Sequence, residues 1–241
     1  MDKPIKLDVL AIAAHPDDVE LSCGGLLLKL AQKKLRTGII DITQGEMGTL
    51  GSKEHRIKEA LTAGKLLGLA YRANMGLPDA AVVHNLENSY KLAAMIRLLQ
   101  PELVILPHWE QRHPDHLAAS KMGYDACFFA GLKKLQMPGE ATRPRKIIYA
   151  SYFREAQHSF LVDITAQMED KCKAVACYAS QFNDQEASKR IFYESNHDIF
   201  SLLRNKAAHL GSRAGVNFAE AYTIKEDILI DDPFLMGVKS I

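Results

Sequence analysis

Val9-Leu10-Ala11-Ile12-Ala13-Ala14-His15-Pro16-Asp17-Asp18 passes directly from an unbroken apolar run into a cluster of ionisable side chains. A short continuous apolar run is what a parallel strand covered on both faces requires. Pro16 then fixes the backbone where the strand gives way to a loop. The same grammar returns further on, where Leu103-Val104-Ile105-Leu106-Pro107 precedes His113-Pro114-Asp115-His116. Each string sets one metal-type ligand three positions from another, His15 with Asp18 and His113 with His116. Neutral imidazole and carboxylate are ligands that Zn²⁺ takes in catalytic sites, where three protein ligands leave a position for water. Either string alone is equally well a turn with a helix cap. Two of them, each after a buried strand, point to a split metal site.

Outward from these strings the apolar periodicity alternates between strand and helix. Strands are predicted at Val9–Ala14, Thr37–Ile42, Ala70–Met75, Leu103–Leu106, Ile147–Tyr152 and Phe160–Ile164. Helices are predicted at Val19–Lys34, from Ser52 through Leu67, at Glu87–Leu99, Pro114–Phe129, Ala166–Tyr178 and Asp184–Leu210. A Gly-rich loop with Gly45, Gly48 and Gly51 joins the second strand to the second helix, and Gln136–Pro144 is the most linker-like piece. The order predicts one α/β domain spanning the chain, a doubly wound, mostly parallel sheet with helices on both faces. In such sheets ligands bind beyond the carboxyl ends of the strands where the strand order reverses, which is where both His-Pro-Asp strings fall.

Composition narrows the class. Of 241 residues, 47% are apolar and 24% charged, and 30 Lys+Arg balance 29 Asp+Glu, so this is an ordinary globular chain with no basic stripe for nucleic acid. Lys29, Lys33, Lys34 and Arg36 read as a solvated helix face. Four cysteines without CxxC spacing read as reduced thiols of a cytoplasmic protein. Lys3 and Lys6 before Leu7–Ala14 imitate a short signal peptide, but Asp8 interrupts the run, which also leads straight into His15. No stretch approaches the roughly 20 apolar residues of a membrane span.

Competing motifs are weaker. Gly24-Gly25 lacks a GxGxxG pattern and fits close helix–sheet packing. Ser22, Ser151 and Ser180 have no nucleophile-elbow context. His84, His158, His197 and His209 have no ligand-like neighbours in sequence, and Trp109 either walls the site or packs.

Ala14-His15-Pro16-Asp17-Asp18, Gly45-Glu46-Met47-Gly48, Arg56-Ile57-Lys58-Glu59-Ala60 and His113-Pro114-Asp115-His116 together resemble the zinc-dependent N-deacetylases of the LmbE/PIG-L family. The likeness extends to Arg190–Ser195 and to Gly215–Ala221. It implies removal of acetyl from N-acetylglucosamine conjugates. The later part is most similar to the branch acting on N-acetylglucosaminyl malate in bacillithiol synthesis, while other branches take chitooligosaccharides, glycopeptides or inositol-linked sugars. A non-catalytic carbohydrate-binding module is the alternative from another class.

The resemblance assigns His15, Asp18 and His116 to one Zn²⁺, with Fe²⁺ or Mn²⁺ acceptable to the same donors. Asp17 becomes the base that takes a proton from the attacking water. His113, protonated and steadied by Asp115, faces the developing oxyanion, and Tyr193 adds a donor. Arg56, Glu46 and Arg112 are candidates to hold the substrate, Arg56 and Arg112 competing for a carboxylate in its aglycone. The resemblance also implies a homo-oligomer, with a hexamer as the form common in the family, and no membrane partner.

Overall fold

The structure is a computed structural model and describes residues 5–152, 156–182 and 198–238. Its frame is a seven-stranded sheet of order β3-β2-β1-β4-β5-β7-β6. The strands are β1 (Val9–Ala13), β2 (Thr37–Thr43), β3 (Tyr71–Leu77), β4 (Leu103–Pro107), β5 (Lys146–Ala150), β6 (Phe160–Asp163) and β7 (Ala219–Thr223). β1 pairs in parallel with both β2 and β4, so the strand order reverses between β1 and β4. β2 with β3 and β4 with β5 are also parallel, whereas β7 runs antiparallel to β5 and β6.

The continuous apolar runs are explained by two faces buried at once. Leu10 and Ile12 of β1 point into one core with Ile40, Ile42, Val104 and Leu106. Val9, Ala11 and Ala13 point into the other with Ile39 and Ile105. On the first face lie α3 (Leu86–Leu99) and α4 (Pro114–Ala130), which pack against each other. The second face carries α1 (Asp18–Gln32), beside which α5 (Met168–Ala176) packs, and α2 (Lys53–Leu66) packs in turn on α5. Ser52 caps α2 by accepting from His55 N.

Three departures have local causes. The predicted helix Ala166–Tyr178 opens with a 3₁₀ turn at Thr165–Gln167 before α5, and a separate turn, α6 (Ala179–Phe182), follows. Of the predicted helix Asp184–Leu210, residues up to 197 lie outside the described ones; the rest is α7 (Ile199–Ala214), capped by Asp198 and ended by Gly215 at φ +71°. β7 was not predicted, since Ala219-Glu220-Ala221-Tyr222-Thr223 offers no continuous apolar run and owes its state to pairing between β5 and β6.

Candidate metal centre

β1 and β4 deliver the two His-Pro-Asp strings to the same end of the sheet, at the reversal of strand order. His15 and Asp18 follow β1, and His113 caps the N-terminus of α4 with Pro114 in its first turn. Asp18 Oδ2 lies 3.4 Å from His15 Nδ1 and 3.2 Å from His116 Nε2, and the two ring nitrogens are 3.3 Å apart. Four-coordinate zinc with bonds of about 2.0–2.1 Å would set its ligand atoms about 3.3 Å apart. The donor triangle therefore has the dimensions and the N,N,O chemistry that such an ion needs.

Its surroundings have the same logic. His15 turns Nε2 away from the triangle, 3.0 Å from Asp79 Oδ1 and 3.3 Å from Asp115 Oδ2. A carboxylate on the outer ring nitrogen fixes the tautomer and makes the inner nitrogen a better donor to metal. Burial works against a charged His15, yet Asp18 and Asp79 together raise its pKa to about 11. Three carboxylates around one imidazole make a negative pocket that a cation neutralises. Asp18 is held well below the usual carboxylate range by His116 and His15, although burial alone would raise it.

Asp17 carries an unusual backbone for a non-glycine residue, φ +106°. Its side chain is nine-tenths buried and receives Arg56 Nη1 at 2.6 Å. Burial pushes its pKa up to about 6, with Arg56 opposing and Asp18 reinforcing.

Several residues stand elsewhere than the sequence suggested. The Asp115 carboxylate is not hydrogen-bonded to His113; it accepts from Ala80 N (2.8 Å) and Val82 N (3.2 Å) and faces His15. His113 Nδ1 accepts from Asp115 N at 3.2 Å, which places the proton of a neutral ring on Nε2. Burial lowers its pKa, as do His15 and His116, so the imidazolium form inferred from sequence is disfavoured. Arg56 is 6% exposed and spans Asp17 and Pro16 O rather than opening to ligand, because Gly45 lies directly over its guanidinium. Glu46 is exposed, but its oxygens accept from Gln44 N and Asp79 N and so brace the loop. Arg112 is exposed beside the site. Tyr193 lies outside the described residues. Trp109 stacks on His108 and meets Lys225 and Tyr149, a packing role.

Two neighbours escaped the sequence. Asp79 sits on the loop after β3, anchored through Met47 N (2.8 Å), and nothing near it in sequence resembles a ligand motif. Tyr152 follows β5, is buried, and stacks on the His116 ring at 4.5 Å between centroids. Its place after the strand next to β4 was the available signal.

Comparison with known proteins agrees with this geometry. The profile of the family described as "PIG-L: GlcNAc-PI de-N-acetylase" matches residues 10–127, which contain both strings. Diacetylchitobiose deacetylase of Thermococcus kodakarensis is 27% identical over 228 residues, 88% of this chain and 80% of that protein. Among solved structures, the conserved protein TT1542 of Thermus thermophilus superposes with a TM-score of 0.85 at 36% identity, covering 95% of this chain and 99% of the other. The N,N'-diacetylchitobiose deacetylase of Pyrococcus horikoshii gives a TM-score of 0.76 at 25% identity, over 89% and 82% of the two chains. On the shared profile, the full-length likeness and the two strings meeting in one crevice, the chain belongs to the PIG-L (GlcNAc-PI de-N-acetylase) family.

Proposed function

We propose that this protein is a metal-dependent amidohydrolase that removes the N-acetyl group of an N-acetylglucosamine conjugate. The observation that carries this reading is the triangle of His15, Asp18 and His116 with the strained carboxylate of Asp17 beside it. The relatives that are deacetylases of diacetylchitobiose support the substrate class. A bound Zn²⁺, or Fe²⁺ or Mn²⁺ on the same donors, would supply Lewis acidity at the amide carbonyl and a water acidic enough to ionise near neutral pH.

The chain's own residues account for the proton movements. Asp17 accepts a proton from water as the water oxygen bonds to the acetyl carbon. His113, with Nε2–H free to donate, meets the carbonyl oxygen as it gains charge. Asp17 then returns the proton to the departing nitrogen as the C–N bond breaks, leaving acetate and a free amine. Arg56 holds Asp17 at its unusual φ, and Asp115 and Asp79 hold the His15 ring.

Within that class we favour N-acetylglucosaminyl malate, with Arg112 meeting the malate carboxylates; Arg56, spent on Asp17, leaves that role to it. Diacetylchitobiose is the second reading, favoured by the names of the relatives. Acetate release from both substrates and from inositol-linked N-acetylglucosamine tests the choice. A preference for the malate conjugate that Arg112→Ala removes through KM is the expected result, and equal turnover of all three would overturn it. The four free cysteines suit the reducing cytoplasm, where we place the enzyme; no described helix is long and apolar enough to cross a membrane.

A further inference from the structure

Where β5 begins, away from the metal centre, the sheet is split. Among the described residues β7 pairs with β5 only at Tyr149 and Ala150, through Thr223 and Tyr222. Continued at the same register, Lys146 would stand beside Glu226 and Arg145 beside Asp227. The residues after β7 instead part from β5, with Ile224 N donating to Ser159 Oγ at 3.0 Å, and a cavity of about 540 Å³ occupies the gap. That volume lies within the roughly 300–1,000 Å³ of small-molecule sites. Its walls come from both faces of the sheet. Cys127 and Ile147 belong to the core under α4, and Ile148, Phe160 and Ile224 to the core on the α1 side.

The rim is charged unevenly. Arg143, Arg145 and Lys146 stand on the β5 side and Glu226 and Asp227 on the other, all of them exposed. Arg143 lies over the Phe128 ring and donates to Phe128 O at 3.3 Å, so it builds the wall. Arg145 and Lys146 form no ion pair among the described residues. Three cations against two carboxylates leave one positive charge at the mouth of an apolar chamber. None of these residues has a part in the chemistry above.

We propose that this cavity binds a free medium-chain fatty carboxylate, its alkyl chain lying between α4 and Phe160 and its carboxylate held by Arg145 and Lys146. A single excess positive charge at the rim calls for a monoanion, and the guanidinium fork of Arg145 suits a carboxylate. Glu226 and Asp227 repel the head group and so direct it to the β5 side. Isoleucine and phenylalanine walls select an alkyl body over a sugar or nucleoside, whose hydroxyls they would bury without partners. The site also carries its own reporter. Lys225 lies 4.7 Å from the ring centre of Tyr124, on the cavity wall, and 4.7 Å from that of Trp109, the chain's one tryptophan.

Titration of the purified full chain with sodium decanoate, followed by calorimetry and by Trp109 fluorescence, tests the site. Expected are one decanoate per chain, a fluorescence change that saturates with it, and affinity rising about threefold per methylene from hexanoate to decanoate. Decanol, with the same alkyl chain and no charge, should bind at least tenfold more weakly. Arg145→Gln with Lys146→Gln should weaken decanoate at least tenfold, whereas Glu226→Gln with Asp227→Asn should tighten it. All four side chains are exposed, so circular dichroism and melting temperature should match wild type in both variants. Absence of saturable binding up to about 1 mM, the result if residues 224–228 close onto β5, would overturn the proposal. So would several decanoates per chain, a bound decanoate that leaves Trp109 fluorescence unchanged, or binding indifferent to the charge variants, each a mark of adsorption elsewhere on the apolar surface.

Discussion

Asp17 shows how much of the site is held at single residues. A non-glycine backbone at φ +106° is costly, of order 1–3 kcal/mol, and persists only where its surroundings enforce it. Arg56 is the enforcing group, 2.6 Å from the carboxylate and covered by Gly45, whose φ of +67° lets the loop lie flat on the guanidinium. Arg56→Met should therefore lower kcat by at least tenfold with little change in KM, and Arg56→Lys should recover part of it; a rise in KM alone would show Arg56 binding substrate instead. Asp79→Asn should weaken metal binding by about 10–100-fold in competition with a chelator, because His15 loses its nearer outer carboxylate. Below the centre, burial pushes Asp41 up to about 6 against the opposing Arg72. A carboxyl raised above its unfolded value stabilises the fold below about pH 4, and that contribution is lost as pH rises through about 6. Unfolding free energy should accordingly fall more steeply across that window in wild type than in Asp41→Asn, by a difference on the order of 3 kcal/mol. The metal-type ligands were legible because each follows a strand in a compact string. The partners Asp79 and Tyr152, and the exchange of roles by Asp115 and Arg56, were not, since which carboxylate meets which ring depends on contacts between distant loops.

Elements add a second layer of constraint, clearest in α1. Cys23 leaves helical geometry at φ −138°, and the helix restarts at a new N-terminus whose Gly25 N and Leu26 N donate to Glu220 at 2.9 and 2.8 Å. Lys171 at 2.6 Å and Tyr222 at 2.7 Å complete the carboxylate's partners, all buried. Gly25 permits this approach, for a Cβ there would stand 2.8 Å from Glu220 and 2.9 Å from Ile164. Glu220→Ala leaves Lys171 buried without its counterion and two helix amides unpaired. It should cost about 3–5 kcal/mol in urea unfolding; a loss under 1 kcal/mol would show that the break in α1 needs no such anchor. The sequence suggested close packing at Gly24-Gly25 but not its partner. β7, which supplies Glu220, has no apolar run to reveal it and becomes a strand only between β5 and β6.

For the whole molecule, sheet order turns two remote strings into one centre. Placing β4 rather than β3 beside β1 sets His15, Asp17 and Asp18 opposite His113, Asp115 and His116, at the crevice that doubly wound sheets offer to ligands. That arrangement was legible from alternating strands and helices, because buried parallel strands leave unbroken apolar runs. The antiparallel addition of β7 and β6 was not. The central claim divides two adjacent carboxylates, Asp18 to hold metal and Asp17 to move protons. Metal content and acetate release measured on the same samples of wild type and Asp17→Asn test it most directly. The variant is expected to keep one metal ion per chain while acetate release falls by about 10²–10⁴-fold. Undiminished release, or loss of the metal with the activity, would contradict the division.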